Sequence, residues 1–532
     1  MLRLASPSLS ASPALWAARS RALAAHPRVG LAAAASFHSS QGARLDTDRQ
    51  PPTSPNTSYP PPNLTSAARR RLQPTPASTK STEAAQPPRF EAQQPSPSPA
   101  PPISPPPPDA RVSRRRITSM NELPKTFGRN QIIEVAEDVQ RDLEDVLQHF
   151  AAPVRYAFAY GSGVFRQQGY TDKDKPLLDF VFAVSHPSHW HAINMQQNPQ
   201  HYSLPMRLLG SDAVSWMQEK GLGANVWFNV DVEVNGKLLK YGVVSIDALC
   251  RDLLDWETLY ISGRLHKPVR ILQNDARVRL ANQVNLASAL RTALLLLPES
   301  FTEVELFEEI AGLSYRGDFR MRVGENPHKV RNIVAAQLPA FRSLYGGLLK
   351  SFWKSVHTIG EVPATGGSEL VGIRLMRQDL SPAVRASTAA RLPVGLRDKV
   401  LAHYERRWNL EGAMLRAKEQ QAHDAPDRAE HKVNLDVQYM WERIVQDDQF
   451  HSIMNQSLSQ IVARPTFNQS LKGILSAGPV KSLRYVIPKL KKKWGAAPAS
   501  ASRPEQALID ADKSGRQAIA DGTVANVVKK EQ

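Results

Sequence analysis

Tyr156-Ala157-Phe158-Ala159-Tyr160-Gly161-Ser162-Gly163-Val164-Phe165 and Leu177-Leu178-Asp179-Phe180-Val181-Phe182-Ala183-Val184 are the two stretches that decide the fold of this chain. The first is an apolar strand stopped by a Gly-Ser-Gly turn, and the second is an apolar strand with one carboxylate set into its start. Gly and Ser are ordinary turn residues, so the turn alone says little. The Asp embedded in the next strand changes that. A short helix opening at Val164 and Phe165 would aim free backbone N–H groups and the Ser162 hydroxyl at phosphate, while Asp179 held Mg²⁺ against it. Gly161, Ser162 and Gly163 are therefore the expected nucleotide cradle, with Ser162 and Asp179 as catalytic candidates. The plainer alternative is a strand–turn connection followed by a strand-capping Asp.

Working outward, Val226, Phe228, Val230, Val232 and Val234 alternate with Asn229, Asp231 and Glu233, and Asn235-Gly236 supplies a two-residue hairpin turn before Lys237 to Ile246 returns. With that turn, Val234 faces Lys237 and Asp231 faces Lys240. The pair is either a surface ion pair worth a few tenths of a kcal/mol, or a functional one. In the functional case Lys240 neutralises triphosphate charge and Asp231 adds a metal ligand. Ile132 to Phe150 carries apolar residues at helical spacing, which predicts about five turns of helix before the first strand. Leu286 to Leu297, closed by Pro298, Val304 to Leu313 and Tyr404 to Lys418 also read as helices.

The motif around the Gly-Ser turn closely resembles the mitochondrial CDP-diacylglycerol synthases, the translocator assembly and maintenance family. The likeness runs on through His186-Pro187-Ser188-His189-Trp190-His191, Asn198 to Ser203, Lys240 to Val243, Leu259 to Pro268, Leu297 to Phe301 and Glu309 to Arg320. It returns at Arg464-Pro465 and Lys472 to Ile474. The resemblance implies an α+β chain: a nucleotidyltransferase-fold mixed sheet with flanking helices, then a mainly helical, winged-helix-like domain, then a C-terminal helical region. The corresponding spans are 122–250, 251–345 and 346–495.

One departure matters. The minimal nucleotidyltransferase pattern asks for two carboxylates one residue apart, but Asp179 is followed by Phe180 and Val181. The second ligand comes from Asp231, from Asp172 or Asp174 in the loop, or is replaced by substrate phosphates. His186, His189, His191 and His201 do not read as a zinc site, since Pro187 interrupts a shared helix and no Cys completes the set. His201, Arg264, Lys267, Asp318 and Arg320 are candidate phosphate or lipid contacts, weighed against local ion pairs and caps.

The chain has 532 residues, one cysteine, 41 prolines and a net charge of +17. A lone Cys250 excludes an internal disulfide. Arg3, Arg19, Arg21, Arg28 and Arg44, with no acidic residue before Asp46, predict a mitochondrial transit peptide over 1–45. The Pro- and Ser-rich span 46–121 reads as a disordered linker, and 496–532 as a disordered tail. No apolar run approaches the ~20 residues needed to cross a bilayer. A lipid-directed activity would then work from the membrane surface. Lys481, Leu483, Arg484, Ile487, Lys491 and Trp494 lie on a basic amphipathic segment suited to that contact, in two short pieces because of Pro479 and Pro488.

The resemblance implies that CTP and phosphatidic acid give CDP-diacylglycerol and pyrophosphate, peripherally on the matrix side of the mitochondrial inner membrane, feeding phosphatidylglycerol and cardiolipin synthesis. The alternatives are a nucleotidyltransferase acting on RNA or protein, and a non-enzymatic assembly factor for inner-membrane translocases. Much of the positive charge lies in the leader and the C-terminal region and no aromatic stacking strip is evident, so nucleic acid is not an expected partner.

Overall fold

The computed structural model describes residues 123–124, 126–165, 177–221, 223–323, 326–363, 372–408, 430–495 and 503–521. The expected transit peptide, the Pro-rich linker, the short helix beyond its opening residues Val164 and Phe165, and Asp172 and Asp174 lie outside them.

Helix α1 (Glu137–Gln148) buries Val139, Leu143 and Val146 and is shorter than five turns. The pattern before it belongs to a different core: Ala136 has extended backbone as the cap, Ile132 is exposed, and Ile133 packs with the helices of the second half. Strands β1 (Tyr156–Tyr160) and β2 (Leu178–Val184) pair antiparallel. Pro187 starts α2 (Pro187–Gln197) instead of interrupting it, since a first-turn residue has no intrahelical N–H bond to lose. Helix α3 (Leu204–Glu219) is kinked at Gly210.

Strands β3 (Val226–Val234) and β4 (Lys237–Ser245) form the expected hairpin, with φ of 51° at Asn235 and 73° at Gly236 as a type I′ turn requires. Then come α4 (Ile246–Asp255), the single turn α5 (Ser262–Leu265) and β5 (Arg270–Gln273). The five strands form one mixed sheet in the order β3-β4-β2-β1-β5, in which only β2 and β4 run parallel. Its last strand comes from beyond residue 250, where the first domain was expected to end.

Helix α6 (Ala276–Leu296) begins at the Asp275 cap and is buried along most of its length. It leads into β6 (Ser300–Thr302), α7 (Glu303–Gly312), α8 (Phe319–Val323), α9 (Lys329–Ser351), β7 (Val356–Val362) and β8 (Ile373–Gln378). The three strands pair as β6-β8-β7, so a small sheet crosses the expected boundary at 345. Helices α10 (Pro382–Ala389), α11 (Val394–Arg407), α12 (Glu430–Val445), α13 (Phe450–Gly495) and α14 (Arg503–Ala520) follow. The α+β class, with a helix-flanked mixed sheet and a helical C-terminal region, is the architecture found.

Three C-terminal expectations differ. Helix α11 ends at Arg407 with Trp408 as its cap, and 409–418 lie outside the described residues. The basic segment belongs to one helix, α13, running through Pro479 and Pro488, although its side chains from 477 onward are outside the described set. The tail contains α14, whose Ala511 is buried; its Asp512 accepts from Thr302 Oγ1 at 2.6 Å, and Arg516 reaches Glu305 and Glu308. Composition hid this helix because the tail is rich in Ala, Ser and charge, while Ala511 and Leu508 join the main apolar core.

Candidate functional site

Cross-strand register builds the site. Tyr160 pairs with Asp179, and Asp179 with Lys240, so three strands place these residues on one rung. Val234 pairs with Lys237 as expected, but the register then shifts: Asn229 faces Tyr241 and Val232 faces Leu239. Val230 and Asp231 together oppose Lys240, a β-bulge with Asp231 at φ 54°. The simple one-to-one facing of Asp231 and Lys240 is therefore corrected to a bulge beside the rung.

The turn above the rung depends on two glycines. Gly161 has φ 87°, which favours a residue without a side chain. A Cβ on Gly163 would stand 2.7 Å from the Leu177 carbonyl oxygen, so only glycine lets the turn pass this close to the start of β2. Both the Val164 and Phe165 N–H groups bond the Gly161 carbonyl at 3.1 Å. Ser162 is thus carried at the end of β1, next to the strand that bears Asp179.

Lys240 Nζ is 3.6 Å from Asp179 Oδ1, with both side chains largely buried, and lies 4.7 Å from the centre of the Phe228 ring. Arg264, on α5, stands over Tyr260 at 4.2 Å, Tyr160 at 5.4 Å and Phe228 at 5.9 Å. Burial pushes the Tyr260 hydroxyl up, yet Arg264, Arg320 and Lys240 together bring it below its ordinary value, so three cations converge on this one ring. Arg320 is held by a bidentate bond to buried Asp318, which makes Asp318 a support for the cation instead of a contact in its own right. Lys267 Nζ donates to the Gly263 carbonyl and to Ser314 Oγ at 3.1 Å, and shares the Tyr315 ring with Lys329 at 4.9 and 5.1 Å. Burial, then Arg264 and Lys329, push Lys267 down to about 7.

His201 is not part of this cluster. Its Nδ1 meets the Tyr241 hydroxyl at 2.9 Å, and Tyr241 packs in the core on the sheet face opposite to Lys240. There it joins a buried polar network with Asn194 and Asn229. His191 bonds Tyr202 and Gln218 in the same region, and burial lowers it to about 4, so it is neutral near pH 7.

Several supports had no local sequence signal. Buried Asp252 accepts from the N–H groups of Thr258, Leu259, Ile261 and Ser262 and from the Thr258 hydroxyl. This one carboxylate shapes the loop that presents Tyr260 and Arg264, through left-handed residues at Trp256 and Leu259. Lys329 and Tyr315 were also missed, since they meet only when α5, α9 and the turn before α8 come together.

One carboxylate and one lysine thus share a rung beneath a Gly-Ser turn, with Arg264 over Tyr160 of the same rung. Residues 143–492 match the family profile described as "Phosphatidate cytidylyltransferase, mitochondrial". The chain belongs to this family. A Xenopus laevis protein of that name is 40% identical over 351 residues, covering 65% of this chain and 93% of its own length. The Schizosaccharomyces pombe protein of the same name is 35% identical over 376 residues, covering 69% and 88%. The Saccharomyces cerevisiae one is 44% identical over 236 residues, covering 43% and 60%. Every site residue above lies inside the span matched by the family.

Proposed function

We propose that this chain transfers the cytidylyl group of CTP to phosphatidic acid, giving CDP-diacylglycerol and pyrophosphate. The observation that carries this reading is the charge ledger of the site. Lys240 pairs with the rung carboxylate, Arg264 stands over Tyr160 of the same rung, and Arg264 and Arg320 both act on the Tyr260 hydroxyl, a cationic surround that suits two phosphate-bearing anions brought together. A phosphatidate oxygen attacks the α-phosphorus of CTP, the bond to the β-phosphate oxygen breaks, and pyrophosphate leaves. The attacking oxygen is already anionic near pH 7, so no strong general base is required. Lys240 lies where triphosphate charge must be cancelled, the Gly161–Gly163 turn offers backbone and hydroxyl donors, and Arg264 and Arg320 counter the acceptor.

Mg²⁺ suits such a site, because it takes one or two carboxylates and completes its shell with water and substrate phosphates. Asp179 is partly open and Asp231 sits on the bulge of β3, across β4 from it, so these two residues would be the ones to hold the ion. When bound, Mg²⁺ would supply charge neutralisation on the phosphates.

The working place proposed is the matrix side of the mitochondrial inner membrane, bound peripherally, where the product feeds phosphatidylglycerol and cardiolipin synthesis. The relatives' names carry the word mitochondrial, and no helix among the described residues is long and apolar enough to cross a membrane. The basic end of α13, with Lys481, Leu483, Arg484, Ile487, Lys491 and Trp494, supports a headgroup contact through its composition.

Labelled CTP, Mg²⁺ and phosphatidate, beside an RNA control, test the reading. Label is expected in a lipid-soluble product and pyrophosphate in equal amount. Label in RNA, or no transfer at all, would overturn it.

A further inference from the structure

Strand β3 changes sides along its length. Val226 and Phe228 are buried in one core and Val230 packs against it, whereas Val232 and Val234 belong to the core on the other face of the sheet. In a regular strand all of these even-numbered residues would face one way. The bulge at Val230 and Asp231 makes the switch and sets Asp231 in left-handed backbone. Asp tolerates that conformation better than most residues, yet it persists only where neighbouring contacts enforce it.

The site depends on where this switch falls. With the bulge, Phe228 pairs with Gly242, on the same face as Lys240 two residues earlier, and a Cβ on Gly242 would stand 2.7 Å from the Phe228 ring. That ring is the one behind Lys240 Nζ. Counting back from the Val234–Lys237 pair without a bulge sets Phe228 opposite Val243, which packs in the other core. Lys240 would then lose its ring, because a slip of one residue turns every side chain to the other face. Strand β3 has β4 as its only strand neighbour in the sheet, so few backbone bonds oppose such a slip.

A buried polar network holds the register from behind. Asn229, the last residue paired before the bulge, accepts from Trp227 Nε1 at 3.0 Å and donates to the Tyr241 hydroxyl at 2.7 Å. An indole N–H can only donate, which fixes the Asn229 amide the way round that sends its NH2 group to Tyr241. Asn194 of α2 donates to the same hydroxyl at 2.8 Å. The two amides fill both acceptor positions of the phenol oxygen, so its own proton goes to His201 Nδ1, 2.9 Å away. Tyr241, Asn194, Asn229 and His201 are each 4% exposed or less. In the count without a bulge, Val230 would take the place of Asn229 beside the hydroxyl, and an apolar side chain offers it no bond.

We propose that the Tyr241 hydroxyl, with Asn229, Asn194 and His201, is the positioning device of this site: it locks the β3 register that places Phe228 behind Lys240 and Asp231 on the bulge. This deepens the proposed function and rests on it for the nucleotide. Tyr241 and Asn229 lie on the sheet face away from Lys240, so they act through it and through Asp231 instead of touching substrate. Their loss is felt by the triphosphate and its cation, and hardly by the lipid phosphate that the arginines receive.

The test uses the full chain and two variants. Tyr241→Phe keeps a ring packed against Phe150 and Phe182 and deletes only the hydroxyl. Asn229→Ala breaks the same bond from the other strand and serves should the first variant fail to fold. Hydrogen exchange read by mass spectrometry without nucleotide reports the register, and the amides of 226–234 should exchange about tenfold faster or more in both variants. Calorimetric binding of CTP with Mg²⁺ should weaken about tenfold in both, while the KM for phosphatidate stays within about twofold of wild type. Since both changes delete one bond, the double variant should bind CTP within about twofold of the weaker single. Unchanged CTP affinity in a folded variant overturns the proposal, and so does unchanged exchange. An equal loss for CTP and phosphatidate also overturns it, as the mark of general loosening. Wild type that binds no CTP would refute the proposed function instead, while faster exchange in the variants would still support the register lock.

Discussion

Asp179 and Lys240 occupy one rung of two parallel strands, with the ammonium 3.6 Å from the carboxylate and an aromatic ring behind it. The carboxylate orients the lysine before any substrate arrives, and an incoming triphosphate with its cation can take over both partners. We predict that Asp179→Asn, which keeps the shape and removes the charge, lowers turnover more than about tenfold even at saturating Mg²⁺, with the fold intact by circular dichroism. Ser162→Ala, which removes one oriented hydrogen bond, should cost roughly 10- to 100-fold. Near wild-type rates for Asp179→Asn would remove the carboxylate from the chemistry.

The bulge at Val230–Asp231 places two residues of β3 opposite Lys240. Asp231→Asn is expected to raise the Mg²⁺ concentration needed for half-maximal rate. A double-mutant cycle with Lys240→Met should show coupling of more than about 0.5 kcal/mol in kcat/KM. Additive losses with an unchanged Mg²⁺ requirement would leave Asp231 a residue of bulge geometry alone.

Arg264 faces three rings and donates to the Tyr260 carbonyl. A lysine keeps the charge but cannot reproduce a planar guanidinium stacked among them. Arg264→Lys should therefore cut kcat/KM for phosphatidate about tenfold or more. A variant within twofold of wild type would show that charge is the whole contribution.

Lys267 is held at about 7, well below the ordinary lysine value of 10.5. Above about pH 7 the folded chain has released a proton that the unfolded chain retains until about 10.5, so stability should rise with pH across that window and gain nothing below it. The melting temperature of wild type relative to Lys267→Met is expected to climb between pH 7 and 9, while the variant loses phosphatidate turnover. Parallel melting curves would place the lysine in solvent.

Asp252 takes five hydrogen bonds from the loop that carries Tyr260. Asp252→Ala strands buried donors, and we expect a loss of roughly 3 kcal/mol in a urea titration. Asp252→Asn should fall between this variant and wild type. A loss under about 1 kcal/mol would mean that the loop shapes itself.

The β3–β4 hairpin, the Gly-Ser turn and Asp179 were readable in one dimension because alternation, Asn-Gly and a carboxylate in an apolar run depend on residues a few positions apart. Periodicity overreached before α1, since Ile133 and Val139 belong to different cores. Only packing could place His201 on the far face of the sheet, insert the bulge beside Lys240, or bring Lys267 and Lys329 to one ring. The same holds for Asp252, whose partners are backbone N–H groups present in any sequence. Local propensity is written in neighbours, whereas the charge balance of this site is set by side chains more than a hundred residues apart, brought together by burial.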